Sequence, residues 1–288
     1  MNTALEVKHL QKTYPTFKLD NVSFQVPRGN IVGLIGENGA GKTTTLKAIM
    51  DLIDIDGGEI SILGSGDQHS HHIHEDIGVV LDGSCFHDNL TIAQHGKVLQ
   101  RMYKNWDTNI YRQYCERFGL DAKKQIGDLS KGMKMKLAVT AALSHQPRLL
   151  ILDEATSGLD PVMRDEVLDV FLDFIQNEQH SILLSSHITT DLEKVADYIV
   201  FLHQGRMIFS LPKDTLIYQY GIIRCRTDEF KQIAPEDMLA YRKKDLEWEV
   251  LVADKEKAAQ KYKKSVIDNA TIDEIMLLYI KGETPCKG

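Results

Sequence analysis

Apolar and polar residues alternate over residues 4–10 and again over 22–26, the period of strands with one face exposed. The second run closes at Pro27-Arg28-Gly29, a turn signal. The pattern then changes. Residues 31–35 are an unbroken apolar run that reads as a buried strand, and from Thr44 to Met50 the apolar residues recur at helical spacing. Asp56-Gly57-Gly58 predicts a turn before another alternating strand at 59–63, and 77–81 reads as a buried strand ending at Asp82. From Thr91 to about Phe118 the period is helical, with Thr91 placed as a cap and Val98, Leu99 and Met102 recurring after it. A second helical run holds Ile110, Tyr111, Tyr114 and Phe118, and helical spacing resumes from Ser130 to Leu143. Residues 149–152 are four aliphatics, expected as a parallel strand buried on both faces, and 181–185 is another buried strand. Residues 198–202 and 206–209 flank Gln204-Gly205, a hairpin signal. Beyond Pro212 the pattern predicts strands at 222–226 and 246–252 and helices at 254–264 and 272–280, enough for a small α+β module.

Composition narrows the class. The 288 residues are 43% hydrophobic, ordinary for a chain with a real core. The net charge of -7, without a long basic run, argues against nucleic acid as a partner. Cys85, Cys115, Cys225 and Cys286 are scattered without zinc or disulfide spacing. Residues 1–10 carry no apolar core of the signal-peptide kind, and no apolar run is long enough to span a bilayer. A cytoplasmic protein is expected, with any membrane role exercised through a partner.

The candidate chemistry centres on Gly36-Glu37-Asn38-Gly39-Ala40-Gly41-Lys42-Thr43, a full G-x-x-x-x-G-K-[ST] between a predicted strand and helix. Glycines let the backbone turn N–H groups toward an anion, and the helix start adds its unpaired N–H groups and dipole. Lys42 is expected to reach β- and γ-phosphates, and the Thr43 hydroxyl to bind Mg²⁺. Asp153 and Glu154 follow the 149–152 strand, at the edge where α/β sheets place their chemistry. Asp153 is a candidate Mg²⁺ ligand and Glu154 a candidate base for an attacking water. His187, closing the 181–185 strand, falls on the same side and is a candidate for γ-phosphate or water. Asp82 either helps hold Mg²⁺ or a water, or caps a turn. Ser130 reads equally as a helix cap and as a phosphate-binding helix start, where Gly132 would allow close approach. Tyr14 either stacks on an adenine or is a partly buried strand-end residue. The histidines at 69, 71, 72 and 74 lack the spacing of a closed metal site, and an exposed loop is expected there.

Taken together, these segments resemble the ATP-binding subunit of an ABC transporter over residues 1 to about 210. Tyr14 matches the adenine-stacking aromatic, 36–43 the Walker A loop, 149–154 the Walker B strand, 157–160 the D-loop and His187 the switch histidine. Leu129-Ser130-Lys131-Gly132-Met133 matches the signature commonly written LSGGQ. The resemblance implies an α/β P-loop core of mostly parallel sheet, an antiparallel β subdomain, a helical signature subdomain at about 88–145 and a C-terminal α+β extension. The ATP-binding domain would span 1–211 and the accessory domain 212–288. ATP and Mg²⁺ are the implied cofactors, with Asn38, Gly39, Ala40, Gly41, Lys42, Thr43 and Thr44 around the phosphates and Asp160 in the D-loop.

A head-to-tail dimer is also implied, with the same chain or a paralogous ATPase, in which Ser130 and Gly132 of one subunit cover ATP on the P-loop of the other. The partner would be a separate transmembrane permease, and the location the inner face of the cell membrane. The signature variant, single ATPase unit and extension are similar to bacterial exporters of antibiotics and peptides. Three positions depart from the family: Asp82 stands for the usual glutamine, Lys131 and Met133 for signature glycine and glutamine, and Ala155 for a common proline. Two rivals remain in view, a soluble ABC-type ATPase and a nucleotide-sensing regulatory subunit.

Overall fold

The computed structural model describes residues 3–66, 71–81 and 86–285; Asp82, His69, Cys85 and Cys286 therefore lie outside the described residues. The chain divides into two compact units, Met1–Ser210 and Leu211–Gly288. The first unit opens with strands β1 (Thr3–Tyr14), β2 (Phe17–Pro27) and β3 (Ile31–Ile35), helix α1 (Lys42–Ile49) and strand β4 (Gly57–Ile62). A short helix α2 (His71–Glu75) precedes β5 (Ile77–Val80), followed by α3 (Ile92–Met102), α4 (Thr108–Arg117) and α5 (Lys131–Leu143). Strand β6 (Leu149–Asp153), helix α6 (Pro161–Phe174), strand β7 (Ser181–Ser186), helix α7 (Thr189–Val195), β8 (Tyr198–His203) and β9 (Arg206–Pro212) complete the series.

Two sheets result. The larger has the order β5-β6-β7-β3-β8-β9 and runs parallel from β5 through β8; the smaller is antiparallel, β2-β1-β4. Strands β3, β6 and β7 are buried at every residue, because the sheet is covered on both faces: residues of β1, β2, β4 and α1 pack on one, and Leu192 of α7 lies against Gly33 on the other. At the edge, β5 leaves Val79 39% exposed, so the strand expected there is buried at its other three residues but open at this one. Leu46 and Ile49 of α1 join Val32 and Leu34 of β3 to Leu5, Val7 and Leu10 of β1 in one apolar core. Register decides the rest: Ile35 lies opposite Ser186 and Asp153 opposite Ser185, so β3, β6 and β7 end at one edge.

The β8–β9 turn is tied to this edge. Gly205 (φ +75°) accepts from Asp20 N at 2.8 Å and donates to Ala40 O at 3.0 Å. A Cβ there would lie 1.8 Å from Lys18 O, so no side chain fits.

The helical stretch is capped by its own sequence. Thr91 and Gln94 form a reciprocal capping box on α3, Asp107 caps α4 and Ser130 caps α5, accepting from Met133 N at 3.2 Å. Where an exposed loop was expected around the histidines, α2 forms instead. Ile73 is buried in the same core as Ile77, and that anchorage pins one helical turn that polar residues alone do not signal.

His145 ends this region, buried, stacked on Tyr103 with ring centroids 4.2 Å apart and Nε2 donating to Ile77 O at 3.1 Å. Burial pushes its pKa below 6.5, outweighing the opposite pull of the Ile77 and Ala141 carbonyls and of Glu75 and Asp76. The unfolded chain therefore takes up this proton first on acidification. Stability conferred by the neutral ring is full above about pH 6.5 and falls as pH drops toward the lower folded value. Thermal melts across pH 7.5 to 5 are expected to show a decline that is shallower in His145→Gln; an identical slope would remove His145 as a cause.

Among the described residues the second unit holds an antiparallel sheet, α-helices and short helical turns at Thr215–Gln219 and Pro235–Asp237. Its strands are β10 (Gly221–Cys225), β11 (Ala240–Lys244), β12 (Glu247–Val252) and β13 (Val266–Asn269), in the order β11-β12-β10-β13. Helices α8 (Thr227–Phe230), α9 (Lys255–Lys261) and α10 (Ile272–Lys281) accompany them. Ile223, Val250 and Ala258 form the core, and Phe230 stacks on Trp248 at 3.9 Å. Arg224 pairs with Asp268 and, at 2.9 Å, with Glu274, holding β10 to β13 and α10.

Candidate functional site

The phosphate loop leaves β3 at Gly36 and enters α1 at Lys42. Gly41 sits at the junction with φ +109°, and a Cβ there would lie 2.6 Å from Leu19 Cδ2 and 2.9 Å from the Phe17 ring. Only glycine allows both that turn and that approach. No side chain caps α1, and its first turn holds no acid, so none of the helix's own side chains competes with an anion for its terminal N–H groups. Lys42 is buried, with Nζ donating to Gly36 O at 2.7 Å and 3.6 Å from Glu154 Oε1.

The two carboxylates are held differently. Asp153 is buried; its Oδ2 accepts from Thr43 Oγ1 at 3.0 Å and its Oδ1 from Ser185 Oγ at 2.6 Å. Glu154 has φ +53°, a left-handed conformation that costs a non-glycine residue roughly 1–2 kcal/mol. That turn swings its carboxylate back over the loop. Oε2 lies 2.6 Å from His187 Nδ1, opposite the Oε1 that faces Lys42. A cation, a carboxylate and an imidazole thus line one wall of a cleft of about 480 Å³, with Asn38, Gly39, Thr43, Thr44, Ser157 and Phe17 on the others.

A hard cation fits the Thr43 and Asp153 oxygens. They are 3.0 Å apart, close to the ~2.9 Å edge between neighbouring ligands of an octahedral Mg²⁺ with bonds of 2.0–2.1 Å.

The remaining expected residues lie elsewhere. Tyr14 is 39% exposed at the end of β1, opposite Phe17 across the hairpin, and does not line this cleft. Ala40 is buried beneath the loop, where its carbonyl accepts from Gly205. Ser130 and Gly132 start α5, and Gly132 faces Leu159 and Met163 rather than Lys42. Asp160 caps α6, accepting from Val162 N and Met163 N, both at 3.0 Å. Two residues were not singled out from the sequence. Phe17 packs on Gly41, and Ser185 joins Asp153 to Glu154. The signal for Ser185 was a serine that directly follows the aliphatic run 182–184 near the strand's end.

The ABC transporter family pattern matches residues 19–157. The bacitracin transport ATP-binding protein BcrA of Bacillus licheniformis is 33% identical over 75% of this chain and 72% of its own. The lantibiotic transport ATP-binding protein SrtF of Streptococcus pyogenes is 33% identical over 73% of this chain and 91% of its own. A solved ATP-binding subunit of an ABC transporter is 32% identical with TM-score 0.66, over 74% of this chain and 92% of that one. A dimeric ATP-binding cassette in a post-hydrolysis state, bound to ADP and Pi, shares the fold at 20% identity, with TM-score 0.66 over 73% of this chain and 98% of that one.

Proposed function

The chain belongs to the ABC transporter ATP-binding family, and from that premise we propose that it hydrolyses ATP at a site completed by a second subunit, driving a separate permease that exports peptide antibiotics or related amphipathic peptides. The observation that carries the shared site is an incompleteness. Lys42, Glu154 and His187 line the cleft of one chain, while Ser130 and Gly132 stand outside it. The substrate class rests on relatives whose names record bacitracin and lantibiotic transport. Among the described residues no helix is long and apolar enough to cross a membrane, in keeping with a permease on another chain. The ATPase would act at the inner face of the membrane through that permease. We assign nucleotide chemistry to residues 1–211 and an accessory role to 212–288.

In this scheme the 36–43 backbone and Lys42 bind the β- and γ-phosphates, and Tyr14 stacks on the base. Thr43 and Asp153 would hold Mg²⁺, and the ion would offset charge on the phosphate oxygens. Glu154 removes a proton as water attacks the γ-phosphorus, and the β–γ bridging P–O bond breaks with its electron pair leaving on ADP. His187, hydrogen-bonded to Glu154, keeps that carboxylate aimed and neutralises developing charge beside Lys42. Ser130 and Gly132 of the second copy close over the γ-phosphate, with Asp160 near the seam. ATP binding thereby closes the dimer and hydrolysis reopens it.

Complementation tests the shared site. Lys42→Ala and Ser130→Ala chains, each nearly inactive alone, are expected to regain turnover when mixed, because a mixed dimer holds one site with both residues intact. Phosphate release by the mixture no greater than the average of the separate chains would overturn the arrangement.

A further inference from the structure

Ser185 lies on β7 directly opposite Asp153, with no exposed surface. Its hydroxyl makes two hydrogen bonds whose directions are forced. The Glu154 N–H can only donate, so Ser185 Oγ accepts from it, at 3.1 Å. The single hydroxyl proton is then left for Asp153 Oδ1, 2.6 Å away. Asp153 Oδ2 faces Thr43 Oγ1 on the far side. One buried hydroxyl therefore commits the first oxygen of Asp153 and leaves the second presented to the cleft. It also grips the peptide whose left-handed turn, φ +53°, throws the Glu154 carboxylate toward Lys42 and His187.

We infer that Ser185 is a positioning residue for hydrolysis: it sets the orientation of Asp153 toward the divalent ion and of Glu154 toward the attacking water through one hydroxyl. The inference rests on the ATPase function proposed above and adds to it a residue that need not touch nucleotide. Alanine at this position removes the donor to Asp153 Oδ1, freeing that carboxylate to rotate. The Glu154 N–H keeps a longer hydrogen bond, 3.2 Å to the Ser185 carbonyl, so the turn loosens rather than collapses. Threonine restores the hydroxyl and suits a strand.

The test compares Ser185→Ala and Ser185→Thr with the parent chain in steady-state ATPase assays, fluorescent-nucleotide binding without divalent ion, and Mn²⁺ titration of the nucleotide complex by electron paramagnetic resonance. Ser185→Ala is expected to lose about tenfold or more in kcat and to need severalfold more Mn²⁺ for half-saturation, the scale for removing a partner that orients a ligand. Its nucleotide affinity without metal should stay within about twofold, because the P-loop contacts are untouched. Ser185→Thr should recover most of both losses.

Unchanged kcat and Mn²⁺ affinity in Ser185→Ala, or a threonine variant as impaired as alanine at an equal melting temperature, would overturn the assignment. If alanine prevents folding, Ser185→Cys, with a weaker donor of similar size, is expected to give an intermediate loss of Mn²⁺ affinity; parental affinity in that variant would equally overturn it. Parallel assays of the parent chain and Glu154→Gln separate the two levels. Turnover in the parent that Glu154→Gln abolishes upholds hydrolysis whatever Ser185 does, and the metal titration reads Ser185 without turnover.

Discussion

Glu154→Gln is expected to bind ATP and lose hydrolysis by a factor of about 10² or more, trapping a closed, nucleotide-bound dimer. That factor is ~2.7 kcal/mol of transition-state stabilisation. The substitution changes one oxygen to an amide nitrogen and little else. Glutamine has the same length and keeps an oxygen that can stay within reach of His187, which lies 2.6 Å from the carboxylate. The left-handed φ of +53° is imposed by the 153–157 turn, whose Ser157 N–H donates to Glu154 O at 2.9 Å, so the side chain keeps its direction. What vanishes is the capacity to accept water's proton. Phosphate release and size-exclusion chromatography with ATP measure the two consequences. Undiminished turnover would remove Glu154 from the role of base.

Lys42→Ala is expected to weaken ATP binding on the order of 10²–10³-fold, the cost of deleting one partner of a desolvated charge contact. Lys42 is buried between the Gly36 carbonyl at 2.7 Å and the Glu154 carboxylate at 3.6 Å. Without it the cleft keeps an unbalanced carboxylate beside the place a polyanion must occupy. Repulsion then adds to the lost attraction. The fold should hardly notice, because the lost hydrogen bond to Gly36 O contributes about 1 kcal/mol, a shift of a few degrees in melting temperature. Nucleotide titration alongside a thermal melt separates the effects. Parental affinity in this variant would be fatal to the phosphate-loop assignment.

Much of the first unit was legible in the chain because its chemistry is local. The 36–43 loop carries its own geometry: glycines where φ is positive, then a helix start, with the lysine between. The aliphatic run 149–152 followed by two acids announces a buried strand with its chemistry at the end. Helix caps at Thr91 and Ser130 were legible for the same reason, each depending on residues three positions apart.

Other elements were not. Residues 240–244 are too polar to read as a strand, and 266–269 too short; both become edge strands because β12 and β10 offer unpaired backbone groups beside them. Phe17 gave no signal in the chain, yet its ring packs on the phosphate loop at Gly41. That contact joins the start of β2 to the turn into α1, so it depends on how the two elements pack and not on any local pattern.

The sequence by itself determined the phosphate loop, the class of the fold and the acids at a strand's end, since each is written in spacings shorter than one element. Tertiary structure alone decided that Ser185 meets Asp153, that His187 meets Glu154, and that Ser130 stays out of the cleft of its own chain. Those contacts join residues 32 and 33 positions apart through the order of strands in a parallel sheet. That order follows from which apolar faces bury one another, a property of the packed whole that no short window of residues contains.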